Sequence, residues 1–129
     1  MTRQEALDIN WDWFVVQGKP EGVGVDPEEG GLLCMYRGKD GCRCAAGTLI
    51  PDDDYDSRME GNGFCEDFVA RYDLGDLFPL ETITFVGKMQ TIHDSYQADK
   101  HGDFTDYMRK EITELAIEHN LTIPEPVAA

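Results

Sequence analysis

Leu32-Leu33-Cys34-Met35-Tyr36-Arg37-Gly38-Lys39-Asp40-Gly41-Cys42-Arg43-Cys44-Ala45-Ala46-Gly47-Thr48-Leu49-Ile50-Pro51-Asp52 is the stretch on which the reading of the chain turns, and it holds three of the four cysteines. A short apolar run, Leu32 to Arg37, leads into Gly-Lys-Asp-Gly, where Asp40-Gly41 is turn chemistry, so the expectation is a β-hairpin. If Lys39 and Asp40 form a type I turn and Gly41 takes a left-handed bulge position, Gly38 faces Cys42 and Tyr36 faces Cys44. Cys34, Tyr36, Cys42 and Cys44 then share one face. A plain two-residue turn would pair Arg37 with Cys42 and send Cys34 to the opposite face, because a one-residue slip inverts every side chain.

Past the second strand, Ala45-Ala46-Gly47 carries little side-chain bulk and suits a close approach between a short helical turn and the hairpin. Leu49 and Ile50 add apolar contacts, and Pro51 ends the preceding turn because it lacks a backbone donor. One of Asp52, Asp53 or Asp54 can cap the next element. The expected structural hub is therefore Cys34, Tyr36, Gly38, Gly41, Cys44, Gly47 and Pro51.

The same stretch resembles a family of short, largely uncharacterised proteins of tailed phages and prophages, with the pattern C-x-Y-R-G-x-x-G-x-x-C-A-x-G-x-L-I-P-D, then Y, then M-E-G. The matching residues are Cys34, Tyr36, Arg37, Gly38, Gly41, Cys44, Ala45, Gly47, Leu49, Ile50, Pro51, Asp52, Tyr55, Met59, Glu60 and Gly61. A weaker echo lies at His93-Asp94 and from Ala116 to Leu121. Thr48, where a cysteine is often expected, and the extra Cys42 depart from the pattern. The resemblance implies a phage or prophage source and brings no established activity with it.

At 129 residues the chain is the size of one domain. Apolar residues at 41% and charged residues at 29% are those of a folded protein. The 26 acidic against 11 basic side chains, net −15, disfavour nucleic acid and anionic membranes as direct ligands and favour basic partners. No apolar run is long enough to span a bilayer and no signal sequence opens the chain, so the expected location is the cytoplasm, which for a phage protein is that of the bacterial host. Oligomeric state is not legible.

Four cysteines spaced C-x7-C-x-C-x20-C admit buried thiols, a zinc site or two disulfides. Buried thiols are the preferred reading, since paired C-x2-C knuckles are absent and a reducing cytosol opposes disulfides. No metal or other cofactor is expected.

Thr2 and Glu5 form a capping box ahead of Ala6, Ile9, Trp13 and Val16 at helical spacing, with Gly18 and Pro20 as the stop. Trp11 and Phe14 widen this apolar stripe, either into the core or as an aromatic patch. Residues from about 21 to 31, rich in glycine, read as a mobile loop without the features of a phosphate loop. Three more helices are expected, from about Gly63 to Asp73, from about Leu80 to Tyr96, and one capped by Asp103 and stopped by Asn120; a frayed tail occupies about 122 to 129. The expected fold class is α+β, a single domain with four main helices around one small hairpin.

His93, His101 and His119 sit in no catalytic motif, and adjacent residues such as His93 and Asp94 point in different directions on a helix. Asp52, Asp53, Asp54 and Asp56 lack the spacing of an EF-hand loop. A non-enzymatic protein is expected. What stands out is charge: from Pro51 to Thr82 the acids Asp52, Asp53, Asp54, Asp56, Glu60, Glu66, Asp67, Asp73, Asp76 and Glu81 face only Arg58 and Arg71. Such an array suits a protein that normally grips phosphates, and with the phage resemblance it implies an accessory protein that inhibits a host nucleic-acid-handling or defence protein. That would be an anti-CRISPR or anti-restriction function, carried by an acidic, nucleic-acid-mimicking surface. The alternatives are an assembly protein that self-associates through the Trp11 and Phe14 patch, and a small metal protein or enzyme built on Cys34, Cys44 and His93.

Overall fold

Thr2 opens helix α1 (Arg3–Trp11): its hydroxyl accepts the Glu5 N–H at 3.1 Å, and the Glu5 carboxylate accepts the Thr2 N–H at 2.9 Å, completing the expected capping box. The computed structural model describes residues 1–25, 32–38 and 41–124, with the backbone alone for residues 24, 25 and 32–34. Helix α1 continues into one wider π turn, Asp12–Val16, in which the adjacent Phe14 and Val15 are both buried. Gly18, at φ +63°, stops it.

Two long helices cover α1. Helix α3 (Leu80–Asp94) follows a short α2 (Glu66–Arg71), and after a single turn of α4 (Ala98–His101) comes α5 (Phe104–Glu118). The Asp103 carboxylate accepts the Asp106 N–H at 3.0 Å, and left-handed Asn120, at φ +57°, closes α5, so both expected boundary residues serve as such. Helices α1, α3 and α5 pack on one another, and the π turn packs on α5. Leu7, Phe14, Phe85, Met89, Met108 and Ile112 form the centre of the core, each contributing about 1.5–3 kcal/mol by leaving water. Trp11 and Phe14 belong to this core, 4% and 0% exposed, so they offer no aromatic patch for self-association.

The α+β expectation is corrected. Among the described residues, strand pairing amounts to a three-residue antiparallel ladder of β1 (Val23–Val25) with β2 (Leu32–Cys34) and a lone bridge between Glu21 and Arg43. That is no layer on which helices could pack, and the architecture is helical. The expected hairpin between Leu32–Arg37 and Cys42–Cys44 does not form as a strand pair. The Tyr36 and Arg37 N–H groups are both taken by the Glu60 carboxylate, at 2.9 Å each, which removes donors that a second strand would use. What survives is its closing turn. Gly38 N–H donates to Cys42 C=O at 2.7 Å, Cys44 N–H donates to Met35 C=O, and Gly41 has φ +79°. Lys39 and Asp40 lie outside the described residues, as does the Cys34 side chain, so the four-residue cysteine and tyrosine face is not described in full.

Other boundaries shift as well. The stretch expected as a loop from about 21 to 31 contributes β1, and residues 26–31 lie outside the described ones. Helix α2 is shorter than expected at both ends, since Cys65 before it is extended and left-handed Asp73, at φ +56°, follows its C-cap. The expectation of fraying from about 122 is corrected at Thr122. Thr122 is tied to α1 by reciprocal bonds with the Gln4 amide, and residues 125–129 lie outside the described ones.

The turn Gly47–Leu49 meets the backbone of Tyr36 so closely that a Cβ on Gly47 would fall 2.5 Å from the Tyr36 carbonyl oxygen. Gly47→Ala is accordingly expected to lower stability by about 1–3 kcal/mol, read from denaturant unfolding.

Candidate binding surfaces

The acidic segment is held by one charged clamp. Glu60 accepts the N–H groups of Tyr36 on Oε1 and Arg37 on Oε2, and the Tyr55 hydroxyl donates to Oε2 as well, at 2.6 Å. The Arg37 guanidinium, 4.8 Å from the Tyr55 ring centroid, donates to the carbonyls of Gly47 at 2.7 Å and Ile50 at 2.6 Å and to Asp52 at 3.0 Å. Arg43 reaches the same Asp52 oxygen at 3.2 Å and lies over the Trp13 ring. Seven of the residues quoted for the phage pattern, Tyr36, Arg37, Gly47, Ile50, Asp52, Tyr55 and Glu60, are thereby joined in one connected knot.

That geometry sorts the nine acids from Asp52 to Asp76. Glu60 is half-buried and committed to the clamp. Asp52 binds Arg37 and Arg43, and Asp56 caps the turn Ser57–Met59 while binding Arg58 at 2.6 Å. Arg58 holds the Asp56 carboxyl at about 2, well below the usual range. Asp53, Asp54, Glu66, Asp67, Asp73 and Asp76 are exposed and make no ion pair among the described residues. The structure keeps six of the nine as surface charge.

His93 is sealed. The ring is fully buried between Phe14 and Phe104, its Nε2 accepts the Gly22 N–H at 2.9 Å, and Nδ1 lies 2.9 Å from Asp94 Oδ1. The expectation that His93 and Asp94 diverge is corrected, since the Asp94 carboxylate turns back onto the ring. With Nε2 accepting, the proton sits on Nδ1 and is donated to Asp94. The imidazole thereby fastens the strand segment at Gly22 to α3. There is no room for a side chain at that contact, because a Cβ on Gly22 would lie 2.0 Å from the Arg43 carbonyl carbon.

Cys42, Cys44 and Cys65 are free thiols; Cys44 is buried, Cys42 half-buried and Cys65 exposed, so burial is not their common property. Among the described residues no cluster of three histidines, cysteines or carboxylates is arranged to hold a metal ion. No described helix is long and apolar enough to cross a membrane.

A groove of about 440 Å³ between α3 and α5 was not foreseen from the sequence. Ile92 and Leu115 line it together with Gly87, and Glu111, Glu114 and Glu118 line its α5 side. Lys88 lines the opposite side, with Nζ 3.3 Å from His119 Nε2. Its sequence signal was Gly87, a glycine in the interior of a helical pattern.

Two outcomes test the clamp. Glu60→Ala, which leaves two half-buried backbone donors without their charged acceptor, is expected to cost roughly 1.5–3 kcal/mol in denaturant unfolding. Burial, followed by the bond to Glu60, pushes the Tyr55 phenol from 10.0 up to about 12. A folded pKa above the unfolded value stabilises at lower pH. Tyr55 should thus support the fold up to pH 10 and lose that support as pH rises towards about 12, which tyrosinate absorbance and unfolding followed in parallel will show, with Tyr55→Phe removing the effect. The chain matches no protein-family model, no curated protein and no solved structure.

Proposed function

We propose that this chain is a non-enzymatic binding protein that occupies the basic, phosphate-gripping surface of a nucleic-acid-handling protein with its own carboxylates. The observation that carries the reading is an asymmetry in how charge is held. Arg37 and Arg43 are drawn onto Asp52 and onto the rings of Tyr55 and Trp13, and Arg58 is drawn onto Asp56. Asp53, Asp54, Glu66, Asp67, Asp73 and Asp76 are left exposed to solvent. Arg37 and Arg43 are turned inward, with side chains 17% and 26% exposed, Arg58 is exposed but paired, and six carboxylates of the same segment stand in solvent without an ion pair among the described residues, on a chain of net charge −15.

A surface of that kind attracts lysine- and arginine-lined grooves at long range and repels nucleic acid itself. In the setting that the resemblance to phage proteins implies, the partner is a host defence protein of the restriction or CRISPR kind, met in the bacterial cytoplasm and inhibited by occupation of its nucleic-acid channel. The sealed state of His93 supports a binding role over a chemical one, because a base whose acceptor nitrogen is already bonded has none to offer a substrate.

The test begins with capture of a partner from the host by affinity pull-down and continues with association rates. Replacing Asp53, Asp54, Asp73 and Asp76 by asparagine should leave the melting temperature within a few degrees, since none of them caps or pairs and asparagine tolerates the left-handed conformation at position 73. Association at low salt should slow by about tenfold, and wild-type association should itself decline as salt rises. Equal rates for the two proteins would reduce this surface to a solubilising one.

A further inference from the structure

We propose that the groove between α3 and α5 is a docking site for a cationic, partly apolar segment of a partner protein. The inference rests on the reading that the partner is basic and assigns it a second contact, away from the Pro51 to Thr82 segment. Glu111, Glu114 and Glu118 recur at i, i+3 and i+7, so they form one row on α5 spanning about 10 Å at 1.5 Å per residue. None of their carboxylates makes a hydrogen bond or ion pair among the described residues. Like charges at this spacing weaken a helix, and among the described residues no ion pair offsets them. Lys88, the cation lining the groove, lies against the His119 imidazole instead of a carboxylate.

Gly87 is the independent observation. Glycine in the interior of a helix is unfavourable, and it is usually explained by a neighbour that leaves no room for a side chain. At Gly87 no such neighbour exists: a Cβ there would meet nothing within 4 Å, and the space it would enter is the groove. Two locally unfavourable choices, a row of unpaired glutamates and an unneeded glycine, flank the same cavity of about 440 Å³. One occupant accounts for both, a segment whose lysines or arginines pair with the glutamates while their stems and an apolar neighbour lie over Gly87, Ile92 and Leu115. Nucleic acid and anionic lipid are the wrong sign.

The probe is a short amphipathic lysine and leucine peptide, with a glutamate and leucine counterpart and spermine as comparisons, and binding is followed by calorimetry. The lysine peptide should bind the wild-type chain and the glutamate peptide should not. Gly87→Leu, which fills the groove with a good helix former, should weaken binding by at least about tenfold with the fold intact by circular dichroism. Should that variant fail to fold, Glu111→Gln, Glu114→Gln and Glu118→Gln combined should give the same loss. The asparagine variant at positions 53, 54, 73 and 76 should bind within about twofold of wild type. Undiminished binding to the groove variants, or no binding to wild type, overturns the site. Loss confined to the asparagine variant also overturns it while leaving the proposed function standing. Spermine binding as tightly as the peptide, with the same dependence on Gly87, would assign the groove to a polyamine and overturn a protein partner.

Discussion

Glu60 gives both carboxylate oxygens to the backbone of Tyr36 and Arg37, and the side chain of Arg37 in turn reaches the carbonyls of Gly47 and Ile50. These charged bonds tie together three segments that have almost no regular secondary structure of their own. Charge-assisted bonds are stronger than neutral ones, and a carboxylate that accepts two adjacent amides can replace the ladder of a second strand. That substitution explains why a stretch with hairpin chemistry ends as a clamped loop against helices. It also places Tyr36 at 3% exposure, stacked on Phe68 at 5.2 Å, so the clamp connects directly to the core.

The helices depend on the clamped segment in return. Asn10 of α1 donates to the Ala45 carbonyl at 3.2 Å, and Gln90 of α3 accepts the Ala46 N–H at 2.9 Å. Small residues at 45 to 47 permit that approach, because a larger side chain would hold the helices away from these bonds. His93, one turn further along the same helix, completes the arrangement by holding Gly22. A buried imidazole between two aromatic rings, with both nitrogens engaged, acts as a structural strut.

Charge is partitioned along similar lines. The basic residues near the clamp are needed inside it, to satisfy carbonyl oxygens and Asp52, and so they contribute little positive field outside. Carboxylates without such a task stay in water, on the segment after the clamp and along the α5 side of the groove. An acidic exterior thus follows partly from where the arginines are required, and the proposed binding role uses the charge that this leaves exposed.

The sequence by itself determined the elements whose signals are local. The capping box at Thr2 and Glu5, the Asp103 cap, the Asn120 stop and the helical periodicity of α3 and α5 are contained within a few residues, and the structure has them where those signals lie. Net charge and its concentration after Pro51 were equally legible, because they are sums over side chains. Tertiary structure decided what depends on a distant partner. Whether Tyr36 and Arg37 pair with Cys42 to Cys44 or with Glu60 is a competition for the same two backbone donors, and a carboxylate some 24 residues away won it. In the same way Asp52 and Glu60, whose donors lie on Arg37, Arg43 and Tyr36, cannot be told from Asp53 and Asp54 in the sequence around them. They differ only in having a donor within reach, which no local pattern encodes. The groove beside Gly87 belongs to the same class, since a cavity is made by two helices and is written in neither one.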